Sequence, residues 1–461
     1  GASITSPMGP AIYEKQADQL ILTLEAGTEN FLSDGPALTD GDDTIGAALY
    51  AEDDLSINGS GALTLAGTQK HGLQSKKDLV IAGGVLSVTA PTDGIRARNS
   101  CLILDGDITV TAGGDGVVTT RTDQAGKGWI VLAGGSLTVK TGDGAGTPRA
   151  SANSRGGMDG PFGRGGRERW GRPEDDGSLA DPADSGTSQK AVKAAADLTV
   201  WNGVYAFDCA DDGLHAVNVT VNGGVFTIRT GDDGMHADSD LTVNGGIINI
   251  AQCYEGLEGR NVTINGGEIA ITASDDAVNA AGGSDQSGFG GWGRDRFNES
   301  DSGSLLAING GTLSVSAGGD GLDSNGSIAI TGGTTCVWAA TTMGEGAIDF
   351  NGSGTITGGT LIVASTGGVL QGLTGQSVMA LSAGSARSGE ITLLDGSGAT
   401  LAAFTPASAY DTVMVSSDRL AEGESCAVLS QGQALYSGAM THNIDSGAGR
   451  FGGPGRNRKG W

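Results

Sequence analysis

An acidic turn, Asp-Asp-Gly in its fullest form, recurs at a nearly constant interval in this chain: DDGLHA from Asp211, DDGMHA from Asp232, YEGLEG from Tyr254 and DDAVNA from Asp275. The second acid steps from Asp212 to Asp233, Glu255 and Asp276, in gaps of 21, 22 and 21 residues. A longer row, Asp93, Asp115, Asp143, Asp212, Asp233, Glu255, Asp276, Asp320 and Glu345, has the same phase. Stacked coil on coil, such carboxylates would stand roughly 5 Å apart. At an effective dielectric near 20, like charges at that distance repel by about 3 kcal/mol per neighbour. Something must offset that repulsion. The basic residues in register are Arg96 and Lys193, read as lying away from the DDG block, so cations are the expected answer. Carboxylates and turn carbonyls are hard oxygen donors, which suits Ca²⁺. The alternative is a solvated acidic edge that discourages lateral strand pairing.

Other side chains share the register. His215 and His236 hold equivalent places in DDGLHA and DDGMHA, and Glu258, Asn279 and Asp323 continue their row. Alternation along a strand predicts that they point outward, as a polar stripe facing a ligand; two stacked histidines could also hold a transition metal. Tyr254, Trp201 and Trp338 are candidates to stack on sugar rings, or else packing residues.

The elements that position these groups follow from a second repeat in phase with the first: LTVWNG at 198–203, VTVNGG at 219–224, LTVNGG at 241–246 and VTINGG at 262–267. Two signals locked to one period of about 20–25 residues mean a solenoid. Within 241–261, Leu241 and Val243 alternate with Thr242, Asn244-Gly245-Gly246 makes a tight turn, and Ile248 and Ile250 alternate again. Leu257 and Gly259 form a third short pair. Period-2 alternation broken by glycine turns predicts three short strands per coil. Inward pairs such as Leu63/Leu65, Ile108/Val110, Phe226/Ile228 and Leu313/Val315 stack into an apolar bore. Asn202, Asn222, Asn244, Asn265 and Asn309 are expected to form an amide ladder at one turn. The fold predicted is all-β: a right-handed parallel β-helix, three strands per coil, with a terminal cap and a small C-terminal β module.

The predicted organisation is an N-terminal cap at 1–50, the solenoid at 51–370, a closing β module at 371–445 and a Gly/Arg-rich tail at 446–461. The cap is expected to be irregular, with one covering strand at Leu20, Leu22 and Leu24. Two insertions, 145–189 and 281–304, break the period. They are rich in Gly, Arg and aromatics, and Arg164, Arg169, Trp170, Arg294 and Trp292 are candidates for docking on an acidic partner or on a second copy.

Glycine is 83 of 461 residues and the net charge is −26, which argues against nucleic acid or an anionic membrane as partner. No apolar run reaches the length of a membrane span, so insertion is not expected. The start, GASITSPMGP, reads as a processed secreted chain, and five scattered cysteines suggest an anaerobic bacterium's extracellular or cell-surface protein.

The order AALYAEDDLSINGSGALTL (47–65), HGLQSKKDLVIAGG (71–84), DGIRARNS (93–100), DDGLHA, DDGMHADSDLTVNGG and EGAIDFNGSGTITGG (345–359) resembles the clostridial carbohydrate-binding β-helix family. The resemblance spans roughly 45–445. It implies Ca²⁺ in the acidic turns, a role that falls on Asp211, Asp212, Asp232, Asp233, Glu255, Asp275 and Asp276. Tyr254 departs from the pattern by replacing the first acid of its repeat. It further implies secreted or wall-associated proteins that bind cellulose and pectin-like acid sugars without cleaving them. The candidate sugar-binding residues here are His215, His236, Tyr254, Glu258 and Trp201.

Two other functions compete with that expectation. Parallel β-helices include pectin lyases and polygalacturonases, but Gly-His-Gly and Arg-x-Lys are missing and the acids are spread evenly, which favours an extended binding face over a catalytic pocket. A self-assembling fibre or matrix subunit is the structural alternative.

Overall fold

The computed structural model describes residues 1–40, 43–146, 188–281, 303–340, 346–367 and 370–444. Among these, every regular element is a strand, and 33 of the strands join one sheet that is almost wholly parallel. The pairings follow the inward residues. Leu86 pairs with Ile108, Ile108 with Leu137, Leu137 with Tyr205, Tyr205 with Phe226, Phe226 with Ile248 and Ile248 with Ile269. A second ladder runs Leu198–Val219–Leu241–Val262, and a third runs Leu214–Met235–Leu257–Val278. All these side chains are buried, and they belong to one continuous core cluster from Leu24 to Ile444. Where the bore is widest in ring content, Tyr205 stacks on Phe226 with centroids 4.7 Å apart. Each coil contributes only a few apolar groups, so its stability comes from neighbours above and below.

The turn between two ladders needs glycine for a steric reason. Gly246 has φ +108°, and a Cβ there would lie 2.9 Å from the Gly224 carbonyl of the previous coil. The asparagine before it donates from Asn244 Nδ2 to Asn222 Oδ1 at 2.8 Å, and Asn265 and Asn309 continue the chain of amides. Thr331 closes it on Asn309. Asn202 is not a rung, contrary to expectation. Val200 pairs with Val221, which aligns Trp201 with Asn222 and leaves Asn202 one place too late.

The ends differ from the simple cap expected of the sequence. Ile12–Glu14, Gln19–Leu24 and Glu29–Ser33 pair in parallel with Ala47–Ala51, Asp54–Gly59 and Ala62–Ala66, so the N-terminal residues form a stacked coil of their own. At the far end Tyr410–Ser417 runs antiparallel to Gly354–Ser365 and to Val378–Arg387. A four-stranded antiparallel sheet, built from Ile391–Asp395, Thr400–Phe404, Ser425–Ser430 and Gln433–Ala439, packs its own apolar cluster beside it. Antiparallel strands laid over the last coil occupy an edge that would otherwise offer unpaired backbone groups. No helix among the described residues is long and apolar enough to cross a membrane.

Candidate functional site

The third ladder places the acids. Two residues before its apolar positions stand Asp93, Asp115, Lys190, Asp212, Asp233, Glu255, Asp276 and Asp320, one per coil. The row therefore contains a lysine. Asp143, expected there, lies just before the insertion, and the coil resumes with Gln189-Lys190 in the place of Asp211-Asp212. Glu345, Arg164, Arg169, Trp170, Trp292 and Arg294 lie outside the described residues.

Six of the seven acids have a backbone task, whereas Glu255 accepts from the Asn279 side-chain amide at 2.9 Å. Asp115 N–H donates to Asp93 Oδ1 (3.1 Å), Lys190 N–H to Asp115 Oδ1 (2.9 Å), Asp233 N–H to Asp212 Oδ1 (3.1 Å) and Glu255 N–H to Asp233 Oδ1 (3.3 Å). Asp320 N–H donates to Asp276 Oδ1 at 2.6 Å, and Gly346 N–H to Asp320 Oδ1. One carboxylate oxygen thus caps the turn of the next coil, which explains why the position is acidic in coil after coil.

In three of these acids the second oxygen meets a partner three residues on. Asp93 Oδ2 accepts from Arg96 at 2.7 Å, Asp212 Oδ2 lies 2.9 Å from His215 Nδ1, and Asp233 Oδ2 lies 3.1 Å from His236 Nδ1. Lys190 Nζ donates to Asp211 Oδ1 at 3.1 Å and to Asp212 Oδ2. The expectation that basic groups stay away from the DDG block is thus corrected. Lys190 sits inside it, and Lys193 pairs in register with His215.

Both histidines also depart from the outward reading. His236 is 1% exposed and His215 is half-buried, their rings stacked at 4.8 Å with 12° between planes. Their anchoring to the acids three residues earlier tucks the imidazoles beneath the acidic turn. Glu258 Oε2 lies 2.6 Å from His236 Nδ1, so it is also tied into this cluster. Tyr254 is half-buried, whereas Trp201 remains open to solvent at 58%.

The electrostatics divide the row. Burial would raise Asp212, but Lys190 and His215 hold it well below the usual carboxylate range. Burial and the Asp212 charge push its neighbour Asp211 up to about 7, because two acids share one lysine. Burial opposes charge on His236, yet Glu258 and Asp233 raise it above the ordinary imidazole value, while burial and Lys190 lower His215. Further along, burial and Glu258 hold Glu255 well above its usual range, and burial, Asp320 and Asp323 do the same to Asp276. Of the acids first assigned to metal, Asp211, Asp212 and Asp232 come together, and Asp233 groups with His236 and Glu258. An all-oxygen group, Asp320, Asp323 and Asp349, stands apart from them.

Two of these residues are missing from the sequence reading. Asp349 could have been found from AIDF at 347–350, which repeats the GLHA phase. Lys190 could have been found by aligning QKAVKA at 189–194 with DDGLHA, but the insertion before it hides the period.

Known proteins resemble the chain in part. A carbohydrate-binding domain-containing protein of Acetivibrio thermocellus is 39% identical over 148 residues, 32% of this chain and 52% of that protein. The chain therefore matches about half the length of that relative. The solved structure of a polysaccharide lyase-like protein from C. thermocellum, a gadolinium derivative, aligns over 52% of this chain and 71% of its own. Its TM-score is 0.35 at 21% identity, a likeness too slight to bear on fold or function. A family model matches residues 1–234 and 218–289, well over half of the sequence, and by that match the chain belongs to the carbohydrate-binding domain-containing protein family.

Proposed function

We propose that this protein is an extracellular, non-catalytic binder of cellulose or a polygalacturonate-like polysaccharide, supported by Ca²⁺. The family match carries the reading. The open indole of Trp201 supplies a place for it, on the turn that leads into an exposed aliphatic row, Val204, Val225 and Ile247, at the start of three successive strands. A flat apolar strip beside an indole suits the face of a pyranose ring. We take the coils to wind right-handed with three strands each, in keeping with the three ladders.

Calcium dependence falls on the far part of the acidic row. Asp211 and Asp212 already hold Lys190, and Asp233 holds His236, so an added cation would displace existing partners. Asp320, Asp323 and Asp349, with Asp276 one coil before, form an oxygen-only donor set that suits a hard cation. The non-catalytic reading is supported by the fixed state of the basic groups. Lys190 and Arg96 are buried in ion pairs rather than poised over an open face. Extracellular placement agrees with thiols that burial renders inert, Cys101 being pushed up to about 12.

The test is calorimetric titration and pull-down with cellulose and polygalacturonate, in Ca²⁺ and in chelator, for the natural chain and Trp201→Ala. Binding of one polysaccharide, weakened by the substitution, with no unsaturated product or new reducing ends, is the expected result. Turnover of pectate above the blank, or no binding of either polymer, overturns the reading.

A further inference from the structure

We propose that the C-terminal module carries its own binding site for the carboxylate of an acidic sugar, built on Arg387 and separate from both the acidic row and the Trp201 strip. The site is a groove of about 470 Å³, within the range of small-ligand sites, whose polar lining is Ser385, Arg387, Ser388, Ser430, Gln431 and Gln433.

Two backbone irregularities, from different strands, meet at this groove. Val378–Arg387 runs antiparallel to Tyr410–Ser417, yet between the pairs Ser382–Thr412 and Arg387–Tyr410 one strand advances five residues and the other two. The surplus passes through Gly384, φ +72°, and residues 384–386 are exposed. A bulge of this kind re-aims the side chain that follows it, here Arg387. From the other side comes Gln431-Gly432, the two-residue turn between Ser425–Ser430 and Gln433–Ala439, with φ +52° and +73°. The first place of such a turn favours Asn, Asp or Gly, and glutamine there is strained. Among the described residues Gln431 is the one non-glycine with positive φ. Strain of this sort gathers where a side chain is held for a ligand. Gln431 N–H donates to the Glu390 carbonyl at 2.8 Å, and its amide lies against Gly389, where a Cβ would come within 2.8 Å of Nε2.

The lining is unengaged. Among the described residues, the side chains of Arg387, Gln431, Gln433, Ser385 and Ser388 make no hydrogen bond or ion pair with the protein. Ser430 is buried and bonds to the Tyr410 hydroxyl at 2.7 Å, which leaves its oxygen capacity for another partner. Acids outnumber Lys and Arg by 53 to 27, and Arg96 and Arg121 each hold an aspartate, yet Arg387 holds none. Glu390, the nearest acid along the chain, takes the Thr392 hydroxyl at 3.2 Å instead. A guanidinium fork grips a carboxylate by two parallel bonds, and the amides and hydroxyls around it suit the hydroxyls of the same ring. The apolar lining is Ala386 and Ala409, with no ring to stack on a neutral sugar, so the groove favours an acidic sugar over a cellulose chain. The choice of a sugar rests on the carbohydrate reading above, whereas the anion site rests on the groove alone.

The experiment is calorimetric titration of the full chain with trigalacturonate in chelator, where calcium bridging plays no part, with the neutral galactose trimer and sulfate as comparisons. Trigalacturonate should bind, more weakly as salt rises, and the neutral trimer should not. Arg387→Gln should lower affinity about tenfold or more, and Arg387→Lys less, since it keeps the charge without the fork. Glycine suits the φ of the turn, so Gln431→Gly should keep the melting temperature while weakening binding. Trp201→Ala should bind the trimer as the natural chain does. The inference is overturned if Arg387→Gln or Gln431→Gly binds unchanged, if the neutral trimer binds equally, or if nothing binds at millimolar concentration. Displacement of the sugar by sulfate at equal concentration also overturns it, as it would mark a general anion site. Cellulose binding and its loss in Trp201→Ala report on the strip alone, so the two readings fail separately.

Discussion

Lys190 donates its ammonium to Asp212 of the next coil while standing, in its own coil, where Asp212 stands in its own. One lysine thus interrupts a row of acids and is shared by the pair that follows it. Removing it as Lys190→Met should leave Asp211 and Asp212 buried without their cation, at a cost of about 3–5 kcal/mol. Urea unfolding in chelator measures the loss. Adding Asp212→Asn to the same chain should recover a large part of it, and equal midpoints for the single variant and the natural chain would contradict the ion-pair account.

The metal-free protein should become more stable as pH falls from about 8 towards 5. Asp211, Asp233, Glu255 and Asp276 all have raised folded-state values, Asp211 about 7. A raised group stabilises the fold fully below its unfolded value and loses that contribution as pH rises through the folded value. The window for Asp211 therefore runs from its ordinary 3.8 up to about 7. His215, with its lowered value, opposes the trend, and His236 supports it. Near and below pH 4, Asp212 and Glu258, both lowered, take up protons and reverse the slope. Melting temperatures across pH 4 to 8 in chelator would check the sign, and a flat or rising profile towards pH 8 would refute it.

Calcium should raise the melting temperature by mass action on the folded carboxylates. Asp276→Asn with Asp320→Asn should remove most of that rise, whereas Asp212→Asn should leave it in place. If Asp212→Asn abolishes the response instead, the ion sits in the DDG pair and displaces Lys190.

Ile248 is buried between Phe226 and Ile269 of adjacent coils. Ile248→Asp should place an unpaired charge in the bore and cost several kcal/mol, on the order of 4 or more. Loss of soluble folded chain, or a matching fall in the urea midpoint, is the readout.

Much of this molecule is legible in its residues. The 21- and 22-residue steps, the alternating inward pairs from Leu63/Leu65 to Leu361/Val363 and the Asn-Gly-Gly turns identify a stacked β-solenoid, because each is a local pattern repeated in phase. Three things were decided only by the tertiary structure. Register across the 147–187 segment is set by Val117 stacking on Val192, not by spacing along the chain, and that alone puts Lys190 among the acids. The amide ladder starts at Asn222 rather than Asn202 because Val200 aligns on Val221, which frees Trp201 to stand open. The histidines alternate as outward residues should, yet they are enclosed. Strand period determines which side of the backbone a group leaves, while the acidic turn one step earlier determines whether that side is solvent or the inside of a charged cluster.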